Sequence, residues 1–274
     1  MKKICILYGN CQIIPIIQYL RSSKSFNASY KIIEIPPVYL INQEKGLEEN
    51  HLNSLTNCDL FIYQIVGQTY GHQLSTDYII SKLPAKCMKL SFPVSYFSGY
   101  YPQTIHIPTD LYADINIINL LKQGKNKNQI ISILSDDNFY SYYEVKTNLE
   151  DTLTELQKRD ATLDITIDDY VKQNYRNLNL FYTINHPSYY VTRYLSMKIL
   201  DKLGLPKREI SQVTLSDAYF MDRMQPIYPS VKKHLNLIFN KSEDMSFNFN
   251  YTPLKFPEYI AKHVDIHIMN MDLN

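Results

Sequence analysis

The 274-residue chain has no tryptophan, only seven glycines and four cysteines, and its charges almost cancel. Each scarcity excludes something. With 28 basic and 27 acidic side chains the net charge is +1, so no global field favours nucleic acid or an anionic membrane. The cysteines, Cys5, Cys11, Cys58 and Cys87, include no C-x-x-C pair, so there is no zinc signature and no metal is expected. They lie in or beside strand-like segments, which fits reduced thiols better than a disulfide framework. Long apolar runs are also missing. The stretch after Met1-Lys2-Lys3 is broken by Gly9, Asn10, Gln12 and Gln18, which is too short and too polar for a membrane span. No small-residue cleavage site follows it, so a cytoplasmic protein is expected.

What is present is a chain that is 45% hydrophobic, enough for a substantial core in one large domain or a core with an appendage. The first half alternates strand and helix patterns. Ile4–Tyr8 reads as a strand, Ile13–Arg21 as a helix and Lys31–Ile35 as a second strand stopped by Pro36-Pro37. A helix around Leu47–Leu55, a strand Leu60–Gln64, a helix Ser75–Leu83 and a strand Cys87–Phe92 follow. This order predicts an α/β fold with a doubly wound parallel sheet.

The second half reads as mostly helical: Ile115–Gln123, Gln129–Leu134, Tyr142–Lys158, Ile167–Arg176 and Tyr189–Leu203, the last stopped by Gly204 and Pro206. Beyond it Pro226, Pro229, Pro253 and Pro257 leave room only for short helical stretches. The expected division is a parallel core over 1–110 and a mostly helical part over 111–274, although one domain remains an alternative.

The chemistry concentrates at strand ends. Gly9-Asn10-Cys11-Gln12 joins the first strand to the first helix, and in open α/β sheets ligands bind at that edge. A helix N-terminus favours thiolate, so a lowered Cys11 pKa is expected there. A free cysteine also serves as a small buried hydrophobe, and that reading stays open. Parallel strands would bring Gln64–His72 and Ser95–Gln103 to the same edge, with Gly67, Gly71 and Gly99 allowing close backbone approach. The candidate base is His186 in Asn185-His186-Pro187, just before a helix; a capping or packing role is the alternative, and His72 competes. His263 and His267 have the i, i+4 spacing of metal ligands but no evident third ligand, so a solvated helix face is expected.

Gly9-Asn10-Cys11-Gln12, Phe97-Ser98-Gly99-Tyr100-Tyr101-Pro102 and Asn185-His186-Pro187 together resemble the WcbI-type polysaccharide biosynthesis family, over roughly residues 4 to 230. The resemblance implies an SGNH-hydrolase-like fold, coenzyme A binding and acetyl transfer in capsular polysaccharide synthesis. SGNH enzymes carry Gly-Asp-Ser where this chain has Gly9-Asn10-Cys11, and their Asp-x-x-His block is replaced here, Thr183 standing three before His186. Asn185, Asp168 or a backbone carbonyl then remain to orient His186.

The expected function is O-acetyl transfer from acetyl-coenzyme A to a sugar, nucleotide sugar or polysaccharide. Cys11 is the expected nucleophile and His186 the base, with direct attack by a sugar hydroxyl as the other route. The N–H groups of Cys11 and Gly67, with the amide of Asn10 or Gln64, are candidate oxyanion donors. Gln12, Ser98, Gly99, Tyr100 and Asn185 are further candidates for holding substrate. Gly9–Gln12 with Tyr96 and Tyr101 are candidates for holding the coenzyme, the tyrosines as stacking surfaces, with Lys89 and Arg193 as phosphate ligands. A carbohydrate esterase, or a non-catalytic coenzyme A- or glycan-binding protein working with other capsule-biosynthesis proteins, are the alternatives.

Overall fold

The first apolar run forms strand β1 (Lys3–Tyr8), whose last four residues are all buried. Burial without alternation means that both faces of the strand are covered, as in parallel sheets. The computed structural model describes residues 2–108, 110–215, 220, 222–239 and 245–271. Along the chain β1 is followed by α1 (Ile13–Ser22), α2 (Lys24–Ser29), β2 (Tyr30–Glu34) and α3 (Glu49–Leu55). Next come β3 (Leu60–Tyr63), α4 (Thr76–Ser81) and β4 (Met88–Ser91). A hairpin, β5 (Thr104–Ile107) and β6 (Asp110–Asp114), leads to helices α5 (Ile115–Lys122), α6 (Lys127–Leu134), α7 (Tyr142–Asp160) and α8 (Asp168–Asn174). A second hairpin, β7 (Phe181–Thr183) with β8 (His186–Pro187), precedes α9 (Tyr189–Lys202). Helix α10 (Pro229–Leu235), the hairpin β9 (Phe247–Phe249) and β10 (Thr252–Leu254), and α11 (Phe256–Met271) follow.

The fold is α/β, built on a parallel four-stranded sheet of order β2-β1-β3-β4. The order reverses at β1: β2 lies on one side, β3 and β4 on the other. The carboxyl ends of β1 and β3 are therefore neighbours at a switch point, where a crevice for ligands opens in such sheets. One face of the sheet packs Ile6, Tyr8 and Phe61 with Leu55 of α3 and Ile79 of α4. Helix α1 packs against α9. Contacts divide the chain into two compact units, one of Met1–Ser95, Gln157–Asp169 and Tyr189–Ser216, the other of Tyr96–Leu156, Tyr170–Ser188 and Asp217–Asn274. Among the described residues no helix is long and apolar enough to cross a membrane.

Two expectations for the second half need correction. The Pro-rich end carries a 16-residue helix, α11, in place of short stretches. Pro257 sits in its first turn, where a missing N–H costs nothing because that group has no intrahelical partner. Among the described residues three antiparallel hairpins also stand where no strands were expected, the first of them beginning just before this half. Their strands have two to five residues, too short for an alternating pattern to register.

Candidate active site

In the first unit, one amide organises the switch point. Gln64, just past β3, accepts the Asn10 N–H through Oε1 at 2.9 Å. Its Nε2 donates to Gln12 Oε1 and to the Pro93 carbonyl, both at 3.1 Å. Gln12 in turn donates to the Ser95 carbonyl and accepts the Ser95 N–H, each at 2.9 Å. Both glutamines are 1% exposed, and all of these bonds but the half-buried one from Asn10 are buried. Expected to face substrate, Gln12 and Gln64 instead spend their amides fixing the loops after β1, β3 and β4. The approach is so close that a Cβ on Gly9 would collide with the Gln64 amide.

Asn10 Oδ1 accepts the Gln12 N–H at 2.9 Å, closing a turn around Cys11. Cys11 thus sits one residue before the Gln12 N-cap of α1, half-buried. The expected lowering of its pKa is not found. Burial pushes the thiol above the usual cysteine value, and its own backbone N–H pulls back only in part. Desolvation of the thiolate is the larger of these two effects. Cys11 is therefore a thiol at neutral pH and needs a base before it can attack. Gly67 is exposed and a Cβ there would touch nothing, so no close approach demands glycine. His72 is exposed, its ring edge against Tyr78. Lys89 Nζ donates to the Cys87 carbonyl, and Arg193 donates to the Val213 carbonyl while lying over the Tyr189 ring. Asp168 belongs to this unit, in the first turn of α8.

The second unit holds the other candidates. Tyr100, expected to hold substrate, and Tyr101, expected as a stacking surface, are core residues at 0% and 2% exposure. Tyr100 donates to the Tyr175 and Leu178 carbonyls, and Tyr101 to the Phe181 carbonyl at 2.7 Å. Gly99 is required by its neighbour, since a Cβ would strike the Phe97 ring. The Ser98 N–H and carbonyl are held by Thr152 and Asn148. Tyr96 is half-buried.

His186 lies in β8, its ring stacked on Phe220 at 4.7 Å. Burial pushes the imidazole down to about 4, with Asp222 and Arg223 opposing and adding smaller effects. It is neutral at pH 7, as a base must be. The Tyr112 hydroxyl lies 3.3 Å from Nε2 and donates to Asn185 Oδ1 at 2.8 Å. Asn185 Oδ1 also accepts from Thr183 Oγ1, which accepts the His186 N–H. Among the described residues Nδ1 makes no hydrogen bond.

His263 and His267 are each 3% exposed, not on a solvated face, and Asp110 stands with them. Their potential ligand atoms all lie within 4.8 Å of one another. That cradle already holds a cation. Arg223 binds both Asp110 oxygens, at 3.0 and 3.1 Å, and approaches His263 Nε2 at 3.3 Å. Burial would raise the Asp110 carboxyl, but the Tyr112 N–H and Arg223 outweigh it and hold it below the usual range. Burial and Arg223 push His263 down to about 3. The guanidinium stacks over Tyr112 at 5.1 Å. Tyr112, Asp110 and Arg223 had no sequence signal, because tertiary folding alone brings Tyr112 to His186, 74 residues away, and Arg223 to Asp110 and His263, 113 and 40 residues away.

The family model for the polysaccharide biosynthesis enzyme WcbI matches residues 4–208. A solved structure of WcbI, described as a novel polysaccharide biosynthesis enzyme, covers 97% of this chain and 89% of its own, with TM-score 0.84 and 21% identity. It is the native protein without a disulfide bond between coenzyme A and a cysteine. At that identity the likeness speaks for the fold alone. A periplasmic metal binding protein from candidatus liberibacter asiaticus matches at TM-score 0.23 and 9% identity, over 98% of this chain and 99% of its own, and carries no weight. No curated protein matches the sequence significantly. With three quarters of its length matched by the family model, the chain belongs to the WcbI polysaccharide biosynthesis enzyme family.

Proposed function

We propose that the protein is a cytoplasmic, coenzyme A-dependent O-acetyltransferase acting on a sugar of a capsular or other surface polysaccharide, or on its precursor, with an SGNH-like arrangement of catalytic groups. The observation that carries this reading is Cys11, half-buried at the carboxyl end of β1 on a turn locked by Asn10, Gln12 and Gln64. Family membership supports polysaccharide synthesis, and the coenzyme A named for the similar solved structure supports the donor.

In the proposed reaction His186 is the base and Cys11 the nucleophile. The base takes the thiol proton, and the sulfur electron pair attacks the acetyl carbonyl of the thioester. The bond to the coenzyme sulfur breaks, and the departing thiolate takes the proton held by the base, which is left neutral again. The sugar hydroxyl then attacks the acetyl-cysteine, losing its proton to the base, and Cys11 is released as thiol. Asn10 Nδ2, which has no partner among the described residues, is the proposed donor to the carbonyl oxygen, and the half-buried Asn10-Cys11 the proposed contact for the coenzyme.

A second route has its own support. Burial keeps Cys11 protonated, so the sugar hydroxyl attacking the thioester directly, with Cys11 only shaping the pocket, is the alternative mechanism. Incubation with acetyl-coenzyme A and a panel of nucleotide sugars, with products read by mass spectrometry, tests the reading. Acetylated sugar and free coenzyme A are expected. Deacetylation of acetylated sugars without coenzyme A would mark an esterase, and binding without turnover a non-catalytic protein.

A further inference from the structure

The second unit contains a ring of hydrogen bonds around His186 that favours one placement of its protons. Tyr112 carries one hydroxyl proton. It points to Asn185 Oδ1 at 2.8 Å, because an amide oxygen only accepts. Towards His186 Nε2, at 3.3 Å, the hydroxyl is then left as acceptor, so Nε2 carries the hydrogen. The reverse amide orientation fits less well. It would aim Asn185 Nδ2 at both Tyr112 and Thr183, making Thr183 Oγ1 accept twice, since it already takes the His186 N–H at 3.2 Å. The Thr183 hydroxyl proton would lose its acceptor, Asn185 Oδ1 at 3.0 Å, in a residue 0% exposed.

Tyr112 is itself held from two sides. Its backbone N–H donates to Asp110 Oδ1 at 2.9 Å, and the Arg223 guanidinium bound to that same carboxylate covers its ring. On the other side of the imidazole, Nδ1 is buried and bonds to no described residue. A neutral imidazole has one N–H, so with Nε2 occupied the free lone pair belongs to Nδ1.

We propose that Tyr112 is the positioning residue of His186, fixing its Nε2–H tautomer so that Nδ1 takes up the proton. This rests on His186 being the base of the proposed reaction. In the step, the attacking thiol or hydroxyl gives its proton to Nδ1 and keeps its electron pair for the carbonyl carbon. The Nε2–H bond does not break. The resulting imidazolium keeps its contact with the Tyr112 oxygen, and the proton leaves again from Nδ1.

The full chain with 15N-labelled histidine, observed at neutral pH by long-range proton–nitrogen correlation, tests this without any activity assay. His186→Gln identifies the signals. The expected wild-type pattern is a protonated Nε2 and an unprotonated Nδ1, and an Nδ1–H tautomer or an imidazolium would overturn the proposal. In Tyr112→Phe the single tautomer should give way to a mixture, with kcat falling roughly tenfold to a hundredfold at unchanged KM. An unchanged tautomer with unchanged kcat in that variant would also overturn it. The expected tautomer in a protein that transfers no acyl group would sink the proposed function and leave this assignment standing. The opposite tautomer in an active enzyme would sink only this assignment.

Discussion

Gln64 shows how a single side chain can be mistaken for chemistry. An amide at a strand end in an α/β sheet invites a role towards substrate, yet its three bonds go to Asn10, Gln12 and Pro93. Gln64→Leu should therefore act on stability, taking their partner from the Asn10 N–H and the Pro93 carbonyl and leaving Gln12 Oε1 with the Ser95 N–H alone. A loss of roughly 2–4 kcal/mol in urea unfolding is expected. Reduced turnover with unchanged stability would instead return Gln64 to the oxyanion role. The same residue-scale argument applies to Cys11, whose thiol burial pushes up. In the free protein its alkylation by iodoacetamide should be slow at neutral pH and should rise through a titration above that of free cysteine. A fast reaction at pH 7, absent in Cys11→Ala, would show that the α1 N-terminus wins over desolvation after all.

At the scale of elements, the mostly apolar sheet strands of four to six residues and the helices between them were legible, because each carries its own pattern and its own stop signal. Pro36-Pro37 after β2 is one such stop. The hairpins were not legible, being too short, and α11 was hidden because Pro257 reads as a breaker until its place in the first turn is known. Likewise the motif residues near Cys11 and His186 were readable, while Tyr112 reaches His186, and Arg223 reaches Tyr112, only through the folding of β6 and the segment before β9. One helix start supplies a pH prediction. Asp114 caps α5, accepting from the Asn116 and Ile117 N–H groups, and accepts the Tyr228 hydroxyl at 2.6 Å. Burial outweighs these bonds and raises its carboxyl to about 6. A raised folded-state pKa means that stability is present below the usual carboxylate value and is lost as pH rises through about 6. Asp114→Asn keeps the cap and removes that loss. The variant should gain up to about 3 kcal/mol relative to wild type between pH 4 and 7. A difference independent of pH would contradict the burial argument.

For the whole molecule, Cys11 and His186 belong to different compact units, and their joint action is a functional claim that kinetics can decide. If they work as one device, Cys11→Ala, His186→Ala and the double variant should each lose roughly two to four decades of acetyl transfer. Full activity in Cys11→Ala with loss in His186→Ala would select direct transfer. Because burial pushes His186 down to about 4, activity should persist in acid well below the usual histidine range, and an acid limb near 6.5 would contradict that desolvation. All of this depends on the donor being coenzyme A-linked. The most direct measurement is a calorimetric titration of the wild-type chain with coenzyme A under reducing conditions, which leaves only non-covalent binding to be observed. Saturable binding at one site per chain, with a dissociation constant below the millimolar range, is the result expected. No heat of binding at millimolar coenzyme A would contradict the acetyltransferase account.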